Sequence, residues 1–131
     1  MPDDSFETEC DRLSGIVDSA QFERVRWARD EAPMLDRLVE LAQAAVKERP
    51  DIELVDEGSK GATKRYVLKV HGFRVVSVSL GLEAGTVAVW GEAIERSKYQ
   101  VANGRRYSVD YQQLDEAWMR STLGAVMGEI Q

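Results

Sequence analysis

RYVLKVHGFRVVSVSL, residues 65–80, decides how this chain folds. Two runs of β-branched and aromatic residues, Arg65–Val70 and Phe73–Leu80, flank His71-Gly72, a two-residue connection suited to a primed hairpin turn. His71 fits such a turn, because histidine is among the side chains that tolerate positive φ. A tight hairpin register sets Val70 opposite Phe73, Leu68 opposite Val75 and Tyr66 opposite Ser77. With a side-chain period of two, Tyr66, Leu68, Val70, Phe73 and Val75 then share one face. Arg65, Lys69 and Arg74 share the other with Val67, Val76 and Val78.

Outward from this hairpin the meander extends in both directions. Upstream, Ile52, Leu54 and Asp56 alternate with Glu53 and Val55, as a short edge strand does, before a loop over residues 57–62 punctuated by Gly58 and Gly61. Downstream, residues 81–85 form a turn and Thr86–Trp90 a third long strand. Asn103-Gly104, between 99–101 and 106–109, is a strong hairpin signal. The count is five or six strands, all joined by short antiparallel connections.

Helices bracket the sheet. Asp4 and Glu7 have capping-box spacing, and Phe6, Cys10, Leu13, Val17 and Ala20 recur as one apolar face. Asp18-Ser19 offers a second start that runs through Phe22, Val25 and Trp27. Pro33 suits a first helical turn, Leu35, Leu38, Val39, Ala42 and Ala45 form a stripe, and Pro50 ends it. At the C-terminus Asp110 or Asp115 caps a helix whose apolar positions are Leu114, Trp118, Thr122, Ala125 and Val126, widened by Met119, Leu123, Met127 and Ile130. The expectation is an α+β, two-layer domain in which N-terminal helices and a C-terminal helix pack on one face of an antiparallel β-meander. At 131 residues the whole chain, 1–131, is expected to be one domain: 1–50 helical, 51–110 meander, 111–131 the closing helix.

Charge is sorted along the chain. Residues 58–109 hold nine Lys or Arg against three acids, residues 1–57 seven against sixteen, and residues 110–131 one against four, within a net charge of −6. A basic sheet between acidic arms points to an anionic partner or to internal complementarity. Lys64, Lys69, Arg74, Arg105 and Arg106 are the candidate anion or nucleic-acid contacts, the last two beside Tyr107 in a run that interleaves cations with aromatics. A net anionic chain with pI near 4.9 argues against general nucleic-acid binding.

Catalytic equipment is sparse. The one His and one Cys exclude the two-histidine zinc motif, internal disulfides and thiolate-rich metal sites, and no nucleophile-elbow spacing surrounds a serine. Cys10, on the apolar face of the first helix, reads as a packed inert thiol. Gly58-Ser59-Lys60-Gly61 lacks P-loop spacing, and the carboxylate pairs Asp56/Glu57 and Glu92/Glu95 read as solvated edges. No catalytic residue, metal site or cofactor is assigned. Tyr66, Phe73, Trp90 and Trp118 are candidate linings of a pocket between sheet and helices, or plain core. Met119, Leu123, Gly124, Met127 and Gly128 are candidate homodimer contacts, because the stripe on the last helix is wider than one small sheet covers. With no apolar run long enough for a membrane span and an acidic rather than basic N-terminus, the expected setting is the cytoplasm. The function expected is a non-enzymatic binding module for a protein partner; alternatives are a polyanion binder and a small-ligand pocket.

Overall fold

The computed structural model describes residues 4–131, with side chains from Ser5 onward, and these fall into two compact units, residues 4–33 and 34–131. The arrangement is α+β: N-terminal helices, a five-stranded antiparallel open sheet and a C-terminal helix.

In the first unit α1 (Asp4–Val17) and α2 (Ser19–Arg26) are separate helices. Asp18 separates them: its backbone is extended and its side chain accepts from the Gln21 amide, satisfying one of the amides a helix start leaves unpaired. The capping expected of Asp4 falls on a side chain outside the described residues. α1 and α2 meet where Gly15 lies against the Phe22 ring, and Arg29 of the following π-helical turn (Trp27–Glu31) donates to Asp11 from both terminal guanidinium nitrogens. The apolar stripe of α1 was expected to be buried. Instead no residue from Ser5 to Pro33 is buried, and Cys10 is exposed rather than packed, because nothing in this unit covers that stripe.

The second unit is built on the meander. β1 (Ile52–Lys60), β2 (Thr63–Val70), β3 (Phe73–Glu83), β4 (Thr86–Ala93) and β5 (Tyr107–Asp110) lie in sequence order. His71 and Gly72 both take positive φ, 51° and 79°, so the hairpin turn forms where the sequence places it. The pairing starts in the expected register, Val70 with Phe73 and Lys69 with Arg74. A bulge then intervenes, and Leu68 faces Val76 rather than Val75, Tyr66 faces Val78 and Val67 faces Ser77. The extra residue, Val75, turns its carbonyl to the Ser97 hydroxyl, which donates to it at 2.6 Å, so the group that the bulge frees from the ladder is still satisfied. One consequence is a swap of faces: Val76 and Val78 join Tyr66 and Leu68.

That face is covered by α3 (Ala32–Val46) and α4 (Glu116–Gly128). Leu35, Leu38, Ala42 and Val46 of α3, and Met119, Leu123 and Val126 of α4, close over Leu54, Tyr66, Leu68, Val76, Val78, Leu80, Val87 and Val89. Gly91 lets α4 approach β4, since a Cβ there would meet Val126 Cγ1 at 2.9 Å. Asp115 caps α4 by accepting from the Trp118 amide. Gln43 of α3 donates to the Leu54 carbonyl on the outer side of β1, and this protects an edge strand from further pairing.

Two expected loops are corrected. Residues 57–60, expected in a loop over 57–62, belong to β1, which carries a bulge between Asp56 and Ser59. Asn103-Gly104 does not join two paired strands. Gln100 exchanges hydrogen bonds with Gln131, Ala102 donates to Glu129, and Val101 bridges Ile130, so the C-terminus takes the partner the hairpin would have had. No helix among the described residues is long and apolar enough to cross a membrane.

Candidate functional site

The sheet face turned away from α3 and α4 carries an ordered row of side chains. Arg65 pairs with Ser79, and Ser79 with Trp90, across β2, β3 and β4. Val89 pairs with Tyr107, so one step further along the same register Arg106 stands opposite Trp90. The row therefore reads Arg65, Ser79, Trp90, Arg106. At about 4.8 Å per strand its two arginines are about 14 Å apart.

The neighbouring row is small: Thr63, Gly81, Ala88 and Ser108. Its first three members floor a trough of about 500 Å³ whose lining includes Thr63, Gly81, Glu83, Thr86, Ala88, Trp90 and Arg106. Trp90 leans into it, with the far edge of its six-membered ring over Gly81, where a Cβ would come within 3.3 Å of Cη2 and Cζ3. The indole N–H donates to Glu92 at 2.8 Å, fixing the ring plane. Above the ring the Arg106 guanidinium sits 3.8 Å from the centroid, a cation–π contact. Arg106 forms no ion pair among the described residues; Glu92, bonded to the same indole, and Glu83, which also lines the trough, are the acids around it.

The loop before β5 holds Arg106 there. Glu129, buried just past α4, accepts from the Arg105 amide and from the Tyr107 hydroxyl, the latter at 2.6 Å, and the Asn103 and Gly104 amides turn toward it as well. The Tyr107 hydroxyl and these amides favour its ionised form and lower its pKa. Glu129 in turn raises the pKa of Tyr107. Asn103-Gly104 was legible as a turn; the carboxylate that anchors it had no signal in the local sequence.

The other candidate residues divide by environment. Arg65, Lys69 and Arg74 do share the face away from the helices, together with Val67. Arg74 pairs with Glu57 at 3.5 Å. Lys64 lies in register with the helix-covered face and is bound by Asp56 at 2.6 Å, which raises the pKa of Lys64 and lowers that of Asp56. Arg105 stacks on Tyr107, and Lys98 on Tyr99. So Lys69, which stands opposite Glu53 across β1 and β2, and Arg106 are the cations of this set on the outer face that form no ion pair among the described residues, and Arg65 joins them.

The four aromatics do not converge. Tyr66 is buried beneath α3, and desolvation raises its pKa; Trp118 is half-buried on α4; Trp90 lies on the opposite face; Phe73, beside the hairpin turn, is 73% exposed. Of the residues considered for a dimer surface, Met119 and Leu123 are in the core, Met127 is half-buried, and Gly124 and Gly128 are exposed. Met119, Leu123 and Val126 of the α4 stripe are buried, with Val126 against Gly91 of β4. Among the described residues no group of three or more His, Cys, Asp or Glu could hold a metal ion. Compared with protein families, with curated proteins and with solved structures, the chain gives no match.

Proposed function

We propose that the chain is a non-enzymatic binding module that takes an acidic segment of a protein partner across the outer sheet face. One observation carries this reading: the Arg106 guanidinium is held over Trp90, outside any ion pair among the described residues, at the wall of a trough floored by Gly81 and Ala88. A guanidinium held in this way loses little freedom when a carboxylate arrives, and its edges remain available for paired N–H···O bonds. Arg65 closes the same row. Its separation from Arg106 corresponds to about four residues of extended chain, so two acidic side chains four apart in an extended segment match the row.

A polyanion such as single-stranded nucleic acid is the second reading, favoured by the same pairing of cations and aromatics. It ranks below the first because the indole has Arg106 on its face and Gly81 beneath its edge, leaving little of the ring for a base to stack on. The cytoplasmic setting expected from the sequence fits an exposed single thiol, which a reducing compartment keeps free. A homodimer across α4 would rest on Gly124, Met127 and Gly128, and sedimentation across a concentration series measures it.

The test is a fluorescence-anisotropy titration with a labelled extended peptide carrying Glu at positions i and i+4, against the same peptide with Gln and against oligo-thymidine. Arg65→Gln and Arg106→Gln are each expected to weaken the Glu peptide by about 1.5–3 kcal/mol, the range for a hydrogen bond to a charged group. Equal binding of the Gln peptide, or tighter binding of oligo-thymidine that Arg106→Gln abolishes, would overturn the peptide reading.

A further inference from the structure

We infer that the helical unit at residues 1–33 is a second docking surface, and that its occupant is a basic amphipathic helix from another protein. On α1 the side chains Cys10, Leu13, Ile16 and Val17 follow the three-and-four spacing by which one helix presents a seam to another. All are exposed, Leu13 by 57%, Ile16 by 68% and Val17 by 76%, and Val25 of α2 is exposed as well.

Stability and charge both bear on what covers this seam. A chain segment of this size needs an apolar core or an outside contact to hold helices of this length, and none of the described side chains from Ser5 to Pro33 is buried. Residues 1–33 carry nine acids against four arginines, a net of −5. Three of those arginines are already matched: Arg12 with Glu9, Arg26 with Glu23 and Glu31, and Arg29 with Asp11 and Asp30. The uncompensated charge is negative, so a helix whose polar face is rich in Lys or Arg completes it. Pairing with a second copy would set −5 against −5, which disfavours self-association through this seam.

Cys10 provides a local reporter, since it lies on the seam and is the chain's one thiol. The experiment follows the reaction of Cys10 with a chromogenic disulfide in the full-length protein. The probe is a Leu/Lys amphipathic peptide of about 18 residues, long enough to span the seam, with a scrambled peptide and a Leu/Glu counterpart as controls. Saturating Leu/Lys peptide is expected to slow the reaction by about tenfold, because access controls thiol exchange. Raising salt to about 0.5 M is expected to weaken the protection, because screening removes the charge contribution. Leu13→Ser with Val17→Ser is expected to abolish it at unchanged helicity, while Arg106→Gln leaves it intact, which separates this surface from the sheet-face site.

Equal protection by the scrambled or the Leu/Glu peptide overturns the inference. So does protection that rises with protein concentration in the absence of peptide, or a free-protein thiol that already reacts like a buried one. If the double variant unfolds, the wild-type comparison of the three peptides still decides.

Discussion

Replacing Gly91 by Ala tests how closely α4 is docked. The backbone accepts the change, since Gly91 is not among the residues at positive φ and sits mid-strand opposite Val78. The obstacle is the new methyl, 2.9 Å from Val126 Cγ1, where carbon atoms prefer about 3.5–4.0 Å. Val126 is 1% exposed and has no open space to retreat into, so the helix itself must shift. Overpacking of this kind costs about 1–3 kcal/mol. The alanine returns about 0.5–1 kcal/mol by restricting the unfolded chain. At the middle of both ranges a net loss of about 1.2 kcal/mol remains, and for 131 residues with an unfolding entropy of about 2.1 cal/mol/K each it lowers Tm by about 4–5 °C. Calorimetry measures it, and a second substitution isolates the cause. Val126→Ala alone removes two buried methyl groups and costs about 2–3 kcal/mol. Combined with Gly91→Ala it removes the clash, so the double variant should be close to Val126→Ala alone, about 1–2 kcal/mol better than additivity. An unchanged or raised Tm for Gly91→Ala, or strict additivity of the pair, would refute the reasoning.

Further outcomes follow from the loop anchor and from the helix clamp. Glu129 has a lowered pKa in the folded state, so its contribution is present above the unfolded value, near 4.3, and is lost as pH falls through the folded pKa. Glu129→Gln should therefore flatten the acid limb of a Tm-against-pH curve, and an unaltered limb would show that other carboxylates control it. The same variant should bring the Tyr107 phenol part of the way down toward its ordinary ionisation range, read by ultraviolet titration, because the bond to Glu129 is the first cause of its rise and burial the second. Arg37 donates to the Leu114 carbonyl at 3.0 Å and lies over the Tyr111 ring. Arg37→Ala should cost about 1 kcal/mol and speed amide exchange in residues 111–114, and Arg37→Lys should recover only part of it, since an ammonium cannot both stack and reach. A double-mutant cycle between Trp90→Leu and Arg106→Gln should give a coupling of about 0.5–1 kcal/mol in stability.

The secure parts of the fold were legible because local and non-local preferences agree there. His71-Gly72 needs positive φ and has it; Asp115 caps α4 as its position before an apolar stripe implies. Register beyond the turn was not legible. Val75-Val76-Ser77-Val78 lacks clean alternation, so nothing in it reports where parity changes, and the bulge that moves Val76 and Val78 to the covered face leaves no local mark. The Asn103-Gly104 hairpin failed for a different reason: its competitor is the C-terminal segment, remote in sequence, together with a carboxylate that binds the turn's own amides. For Trp90 a signal did exist. Val87 and Val89 alternate with Ala88 and Trp90, and a period of two with the valines inward places the tryptophan outward, beside the residues that form the trough.

The basic segment resolves along the same lines. Lys64 and Arg74 are paired with Asp56 and Glu57, both in β1 at the end of the acidic stretch 1–57, so part of the sorting of charge is internal complementarity. Lys98, Arg105 and Arg106 instead lie on aromatic rings. The two solutions differ in what they leave behind. An ion pair cancels charge, whereas a ring fixes a cation's position and leaves its charge intact. A chain of net −6 can thus repel extended polyanions at long range while keeping a placed guanidinium for a short acidic segment at close range. Affinity for a two-carboxylate peptide should accordingly fall with salt only as steeply as two neutralised charges require, whereas a surface built for nucleic acid would show a slope that grows with the length of the probe.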